Sequence, residues 1–302
     1  MTSIDHSRIL FAGMHDSGKT TFIAALWDYI NSDRLDKKLV LKSLANSENQ
    51  YLEKIRAEWL QCEHVSRTNL NEGETVSMNI DRADNGQNLI LEIPDISGEL
   101  FNTHFQVREW DDEYNDIVKS IHGLLLFINP QDKKNRTIYL ADLNEVEREL
   151  KAEVMAKEDA EEEECNKEEM TKEPILEFAQ WSEEYTSNQV KLVEILQFLK
   201  DQRSVSLPLQ VSVIISRWDV IEKSMSGKPE EWLKEKMPLL YQYLICNQDS
   251  FLSKVFGVSA QGGNYKKDKN NLLSLDSHER PKVKMGLEFI NDITEPIIWL
   301  TQ

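Results

Sequence analysis

Residues 8–26 read RILFAGMHDSGKTTFIAAL, and within them Gly13, Met14, His15, Asp16, Ser17, Gly18, Lys19 and Thr20 match the pattern G-x-x-x-x-G-K-[ST]. The chemistry this implies is capture of a phosphate chain. Backbone N–H groups of the loop and of the helix start at Lys19, Thr20 and Thr21 point at phosphate oxygens. The Lys19 ammonium reaches the β- and γ-phosphates, and the Thr20 hydroxyl ligates Mg²⁺. Gly13 and Gly18 permit the tight backbone that such a cradle requires. A chance match lacks the right surroundings, whereas here an apolar strand candidate, Ile9 to Ala12, runs into the loop and helically spaced Phe22, Ile23 and Leu26 follow it.

Three other short stretches carry side chains suited to the same ligand. Residues 75–81 (TVSMNID) and 88–93 (NLILEI) form a strand pair around an Asn85-Gly86 turn, and the second strand ends in Pro94-Asp95-Ile96-Ser97-Gly98-Glu99. In this D-x-x-G arrangement Asp95 would hold Mg²⁺ through water and the Gly98 N–H would sense a γ-phosphate. The strand 207–215 ends in Ser216-Arg217-Trp218-Asp219, and a short strand at 255–258 ends in Ser259-Ala260. Parallel sheets deliver ligand-binding residues at such strand ends. Taken singly, Asp219 is equally a solvated loop carboxylate and Asp95 an ordinary turn residue.

The remaining elements are those needed to position these ends. The first helix should stop near Asn31-Ser32-Asp33; 37–45 is strand-like; 48–64 places Tyr51, Leu52, Ile55, Trp59 and Leu60 at helical spacing, as core rather than as ligand contacts. A polar helix candidate at 101–120 precedes the continuous apolar run 123–128, expected to be a strand buried on both faces. Helices follow at 188–202 and 229–247. Strands alternating with helices after one antiparallel hairpin predict an α/β fold of three layers with a mostly parallel sheet. Residues 145–173 hold 13 acidic and 5 basic side chains, a solvated helical or disordered insertion rather than core.

Composition excludes several function classes. With 53 acidic against 35 basic residues the formal charge is −18, which disfavours nucleic acid and anionic membrane as partners. No apolar run is long enough to span a bilayer, and MTSIDHSRIL has neither the basic head nor the apolar core of a signal peptide, so a cytoplasmic location is expected. Cys62, Cys165 and Cys246 are far apart and without C-x-x-C spacing, as reduced thiols would be.

The order of these four motifs resembles the Ras-like P-loop GTPases of the TRAFAC class. The resemblance covers about 1–32, 66–130 and 188–292. It implies one GTPase domain over 1–302, with an insertion at 34–66 before switch I and an acidic one at 131–187. There the fourth motif is [NT]-K-x-D, whose Asp accepts from guanine N1–H and the 2-amino group while the Lys stem packs over the base, and the final S-A presents a backbone N–H to O6. Carried over, Asp219 would read guanine, Arg217 would replace the Lys, Ser216 the Asn, and Ser259 and Ala260 would close over the base. The switch I threonine that ligates Mg²⁺ would be Thr68, with Thr75 the alternative. Arg67 is a candidate arginine finger paired with Asp16. Glu99 stands where Ras-type enzymes have a water-orienting Gln, and His15 where they prefer Gly, so hydrolysis is expected to be slow alone and stimulated by a partner. The long lead into switch I, the DISGELF stretch and the closing EPIIWL resemble bacterial double-GTPases of conflict systems, which implies a protein partner, a second GTPase or an effector. A nucleotide-binding scaffold with little hydrolysis and a P-loop ATPase are the rival readings.

Overall fold

A computed structural model describes residues 7–33, 36–44, 49–65, 75–94, 105–106, 112–135, 186–222 and 227–302. A nine-stranded sheet forms its centre. The strands are β1 (Ser7–Gly13), β2 (Leu39–Leu44), β3 (Thr75–Arg82), β4 (Asn88–Pro94), β5 (Ile121–Ile128), β6 (Leu209–Ser216), β7 (Phe251–Ser259), β8 (Lys282–Met285) and β9 (Glu288–Ile290), in the order β2-β3-β4-β1-β5-β6-β7-β8-β9. The middle five, β4 to β7, pair in parallel; β2, β3, β8 and β9 extend the two edges antiparallel.

The apolar runs explain why the parallel strands lie in the middle. β1 and β5 are buried on both faces, and alternation divides their side chains between two cores. Ile9 and Phe11 face one core, with α1 (Lys19–Asn31), α2 (Asn49–Leu60) and α9 (Glu295–Trp299). Leu10 and Ala12 face the other, with α3 (Asp112–Lys119), α4 (Asn188–Gln202), α5 (Trp218–Glu222), α6 (Pro229–Lys236) and α7 (Pro238–Cys246). A further short helix, α8 (Lys269–Ser274), follows β7. This is a three-layer α/β arrangement. Helix α1 is buried almost all round, from Phe22 to Ile30, because α2 covers the side turned away from the sheet. Polar ties fix that pair: Arg56 Nε donates to the buried Asp28 Oδ1 at 2.8 Å, and Trp27 Nε1 to Glu53 Oε1 at 2.9 Å.

Several expectations are extended or altered. The single helix at 229–247 is two helices, because Pro238 has no N–H to continue the first and starts the second. The strand at 255–258 runs from Phe251 to Ser259. The antiparallel part exceeds one hairpin: β2 joins β3, and β8 and β9 form a second hairpin across Gly286-Leu287, with Gly286 at φ +60°. Of 101–120, helix is described at 105–106 and in α3. The acidic run, with Cys165, lies outside the described residues. Among the described residues Cys62 and Cys246 are free, and no helix is long and apolar enough to cross a membrane.

Candidate functional site

The register of the parallel strands brings four chain ends to one edge of the sheet. Gly13 lies opposite Phe127, Ile128 opposite Ile215, and Ser216 opposite Val258. The loops after β1, β5, β6 and β7 therefore open side by side. β4 pairs with β1 up to Leu10 and Glu92, two residues before Pro94, so β4 ends toward the same edge.

The loop after β1 has the backbone its sequence requires. Gly13 has φ +153° and a Cβ there would sit 2.6 Å from Phe127 O and 2.9 Å from Ser17 Oγ. Gly18 is left-handed at φ +89°, and its Cβ would meet Ser216 Cβ at 2.9 Å. Asp16 adopts φ +57°. Lys19 Nζ turns back into the loop and donates to Gly13 O (2.6 Å), Met14 O (3.1 Å) and Ser17 Oγ (3.3 Å), which suspends an ammonium within the cradle. Helix α1 begins at once, and Phe22 N–H closes onto Gly18 O at 3.1 Å, so the first-turn amides at Thr20 and Thr21 face the loop's opening. His15 and Asp16 are exposed on the outer rim; Ser17 is buried.

The loops after β6 and β7 meet each other. Ser259 Oγ donates to Asp219 Oδ1 at 2.5 Å. Asp219 is held at the start of α5 by Trp218, which is 1 % exposed and lies flat on Gly257, whose added Cβ would strike the indole at 2.4 Å. Only glycine admits that ring. The turn after β7 closes through Gly262 N–H to Ser259 O at 3.2 Å. Ser216 is buried beneath Gly18 and its hydroxyl donates to Ile128 O at 3.0 Å, so its proton is committed to tying β6 to β5. Arg217, at φ +50°, reaches across to Asp16, with Nη2 3.4 Å from Oδ1.

Among the described residues the guanidinium beside Asp16 belongs to Arg217; Arg67, expected as the partner of Asp16, lies outside the described residues. So do Thr68, Asp95, Gly98 and Glu99. Thr75 opens β3 opposite Pro94. Among the described residues no group of three or more His, Cys, Asp or Glu converges as a metal centre. Thr20, expected as a ligand of Mg²⁺, lies in the first turn of α1 beside the Lys19 cradle; its expected companions Asp95 and Thr68 fall beyond the described stretches.

Sequence reasoning missed Trp59, Gln261 and Arg280. All three are buried around the turn after β7, and Trp59 Nε1 donates to Ala260 O at 3.1 Å. The only sequence signal was the apolar spacing of α2, which placed Trp59 in the core without indicating its polar end.

A family model described as Double-GTPase 1 matches residues 10–300. Among solved structures, the S. cerevisiae Ski7 GTPase-like domain, bound to GTP, is 13 % identical at a TM-score of 0.41 over 85 % of this chain and 43 % of that chain. A bacterial selenocysteine-specific elongation factor, EF-Sec, is 14 % identical at 0.32 over 90 % and 28 %. This chain spans under half the length of either. The comparison with curated proteins returned no match.

Proposed function

Because the chain belongs to the Double-GTPase 1 family, we propose that it is a Mg²⁺-dependent guanine-nucleotide switch that hydrolyses GTP to GDP and phosphate. The single observation that carries this reading is the junction of Asp219 with Ser259, at the same sheet edge as the Lys19 cradle. A purine between the β6 and β7 loops would have its triphosphate over Gly13 to Thr21. Asp219 accepts from guanine N1–H and the 2-amino group, and the Ala260 amide faces O6. Arg217 covers the base with its stem while Asp16 holds its guanidinium. Lys19 neutralises the β- and γ-phosphates, and Gly98 senses the latter. Thr20, Asp95 and Thr68 hold Mg²⁺, which supplies charge neutralisation at the phosphate oxygens.

Hydrolysis in this reading is slow in the isolated protein. Glu99 sets a negative charge beside the γ-phosphate, and His15 adds bulk at the rim. A protein partner, a second GTPase or an effector acting in bacterial defence within the cytoplasm, supplies the missing positive group, unless Arg67 does so in cis. The exposed His15 also favours a second reading, a nucleotide-binding scaffold that scarcely turns over. Titration calorimetry with GDP, a non-hydrolysable GTP analogue and ATP, with and without Mg²⁺, tests the proposal. Guanine selectivity supports it, and equal binding of ATP refutes it. Multiple-turnover phosphate release separates switch from scaffold, and fast release by the isolated protein refutes the partner-stimulated mechanism.

A further inference from the structure

Ala260, Gln261 and Gly262, which follow β7, are held by the C-terminal end of α2 and by the chain just before β8. Trp59, fully buried, donates from Nε1 to Ala260 O at 3.1 Å. Gln261 Nε2 returns to Trp59 O at 3.2 Å and to Cys62 Sγ at 3.3 Å. Gly262, left-handed at φ +85°, is pressed on Arg280, whose carbonyl oxygen would lie 2.1 Å from an added Cβ. Arg280 itself is 5 % exposed; its Nη1 donates to Leu60 O at 2.9 Å and to Cys62 Sγ at 3.4 Å, and its guanidinium lies 5.5 Å from the centre of the Trp59 ring. Cys62 takes up φ +51°, so the chain leaving α2 bends sharply at the point where both donors meet its sulfur.

We propose that Trp59, Gln261 and Arg280 are positioning residues for recognition of the purine 6-position: they hold the Ser259–Gly262 turn so that the Ala260 amide is fixed where O6 of guanine arrives. This rests on the guanine reading above and adds to it a division of labour. The Trp59 indole N–H on Ala260 O fixes the rigid peptide plane that follows Ala260, and Gly262 N–H on Ser259 O at 3.2 Å fixes the plane that precedes it and carries the Ala260 amide, so the two soft torsions between them are pinned at both ends. Asp219, by contrast, is set by the Ser259 hydroxyl and by Trp218, which lies on Gly257 and packs in the core on the other face of the sheet from Trp59. The 2-amino side and the 6-oxo side of the base are therefore supported separately, the latter by a helix contributed from residues 34–66.

Two analogues separate the sides. 6-Thio-GDP keeps N1–H and the 2-amino group but carries a poor acceptor at position 6; IDP keeps O6 and lacks the 2-amino group. Affinities for GDP, 6-thio-GDP and IDP are measured by titration calorimetry with Mg²⁺ on the full chain and on Trp59→Phe and Gln261→Met. Trp59→Phe removes the Nε1 donor and keeps an aromatic ring. Gln261→Met removes the amide and serves independently if the first variant does not fold. The unaltered protein is expected to prefer GDP to 6-thio-GDP by about tenfold, and each variant to compress that preference to about threefold or less, with the GDP to IDP ratio unchanged. A 6-thio ratio that stays put in both variants overturns the proposal, as does an equal fall in both ratios, which marks general loosening. An unaltered protein that fails to prefer GDP over ADP overturns the underlying guanine reading instead.

Discussion

Gly257→Ala is the smallest change expected to disable base recognition. The new methyl group would stand 2.4 Å from Trp218 Cδ2 and 2.6 Å from Cγ, where ordinary contact begins at 3.4 Å, so the indole must retreat by about 1 Å. Trp218 is 1 % exposed and packed among the residues of the second core, so it has no open space to enter. Overpacking of this kind costs about 1–3 kcal/mol of stability. The larger effect is local, because Asp219 follows Trp218 directly and moves with it. A hydrogen bond to a charged group contributes about 1.5–3 kcal/mol, so GDP affinity should fall by about 10- to 150-fold. The assay is displacement of a fluorescent GDP analogue, paired with a thermal melt. Gly86→Ala is the control: Gly86 is also left-handed, at φ +68°, but nothing lies within 4 Å of its Cβ. That change should lower stability by about 1 kcal/mol and leave GDP affinity alone. Adding Trp218→Phe to Gly257→Ala should recover part of the binding by making room. A Gly257→Ala protein that melts lower yet binds GDP as tightly as before would refute the claim that Trp218 on Gly257 sets the Asp219 carboxylate.

Lys19→Ala removes the ammonium held by Gly13 O, Met14 O and Ser17 Oγ; GTP-analogue affinity should drop by at least about tenfold in calorimetry, more than for the nucleoside alone. A double-mutant cycle on Asp16→Ala and Arg217→Ala should give a coupling below about 1 kcal/mol in nucleotide-free protein, since both side chains are well exposed, and denaturant melts report it. Burial of Glu92, only partly offset by Arg8 and a hydrogen bond from Ser77, raises its carboxyl above the ordinary range. A raised carboxyl favours the neutral form in the folded protein, so its ionisation costs stability above the unfolded pKa, and that cost grows as pH rises until the folded-state pKa is passed. Melts of Glu92→Gln against the unaltered protein between pH 4 and pH 7 should therefore show a relative gain that increases with pH.

The parts of the site legible in the sequence are those whose signal is local. The Gly13 to Thr20 loop carries its own strand and helix, so its backbone could be read from eight residues. The meeting of Asp219 with Ser259 was legible one step further on, since adjacent parallel strands must open on the same edge. What stayed hidden depends on contacts between distant stretches. Trp59 and Ala260 are 201 positions apart, and the same apolar spacing would suit a Trp59 buried without a polar partner. Arg217 and Asp16 are likewise separated by 201 positions, and φ +50° at Arg217 has no signature in residue type. β8 and β9 have four and three residues, too few for alternation to distinguish them from loop, although Gly286 marked their turn. Pro238, on the other hand, was a visible break within 229–247, and the apolar spacing on either side hid it.

In the proposed reading, Asp219 contacts the base of a nucleotide whose phosphates rest on the Lys19 cradle. Asp219→Asn exchanges an acceptor for a donor opposite position 2 of the purine and tests it directly by calorimetric titration with GDP and xanthosine diphosphate in the presence of Mg²⁺. GDP affinity should fall and xanthosine diphosphate affinity rise until the preference inverts; undiminished GDP binding by Asp219→Asn would overturn the assignment of Asp219 to the base.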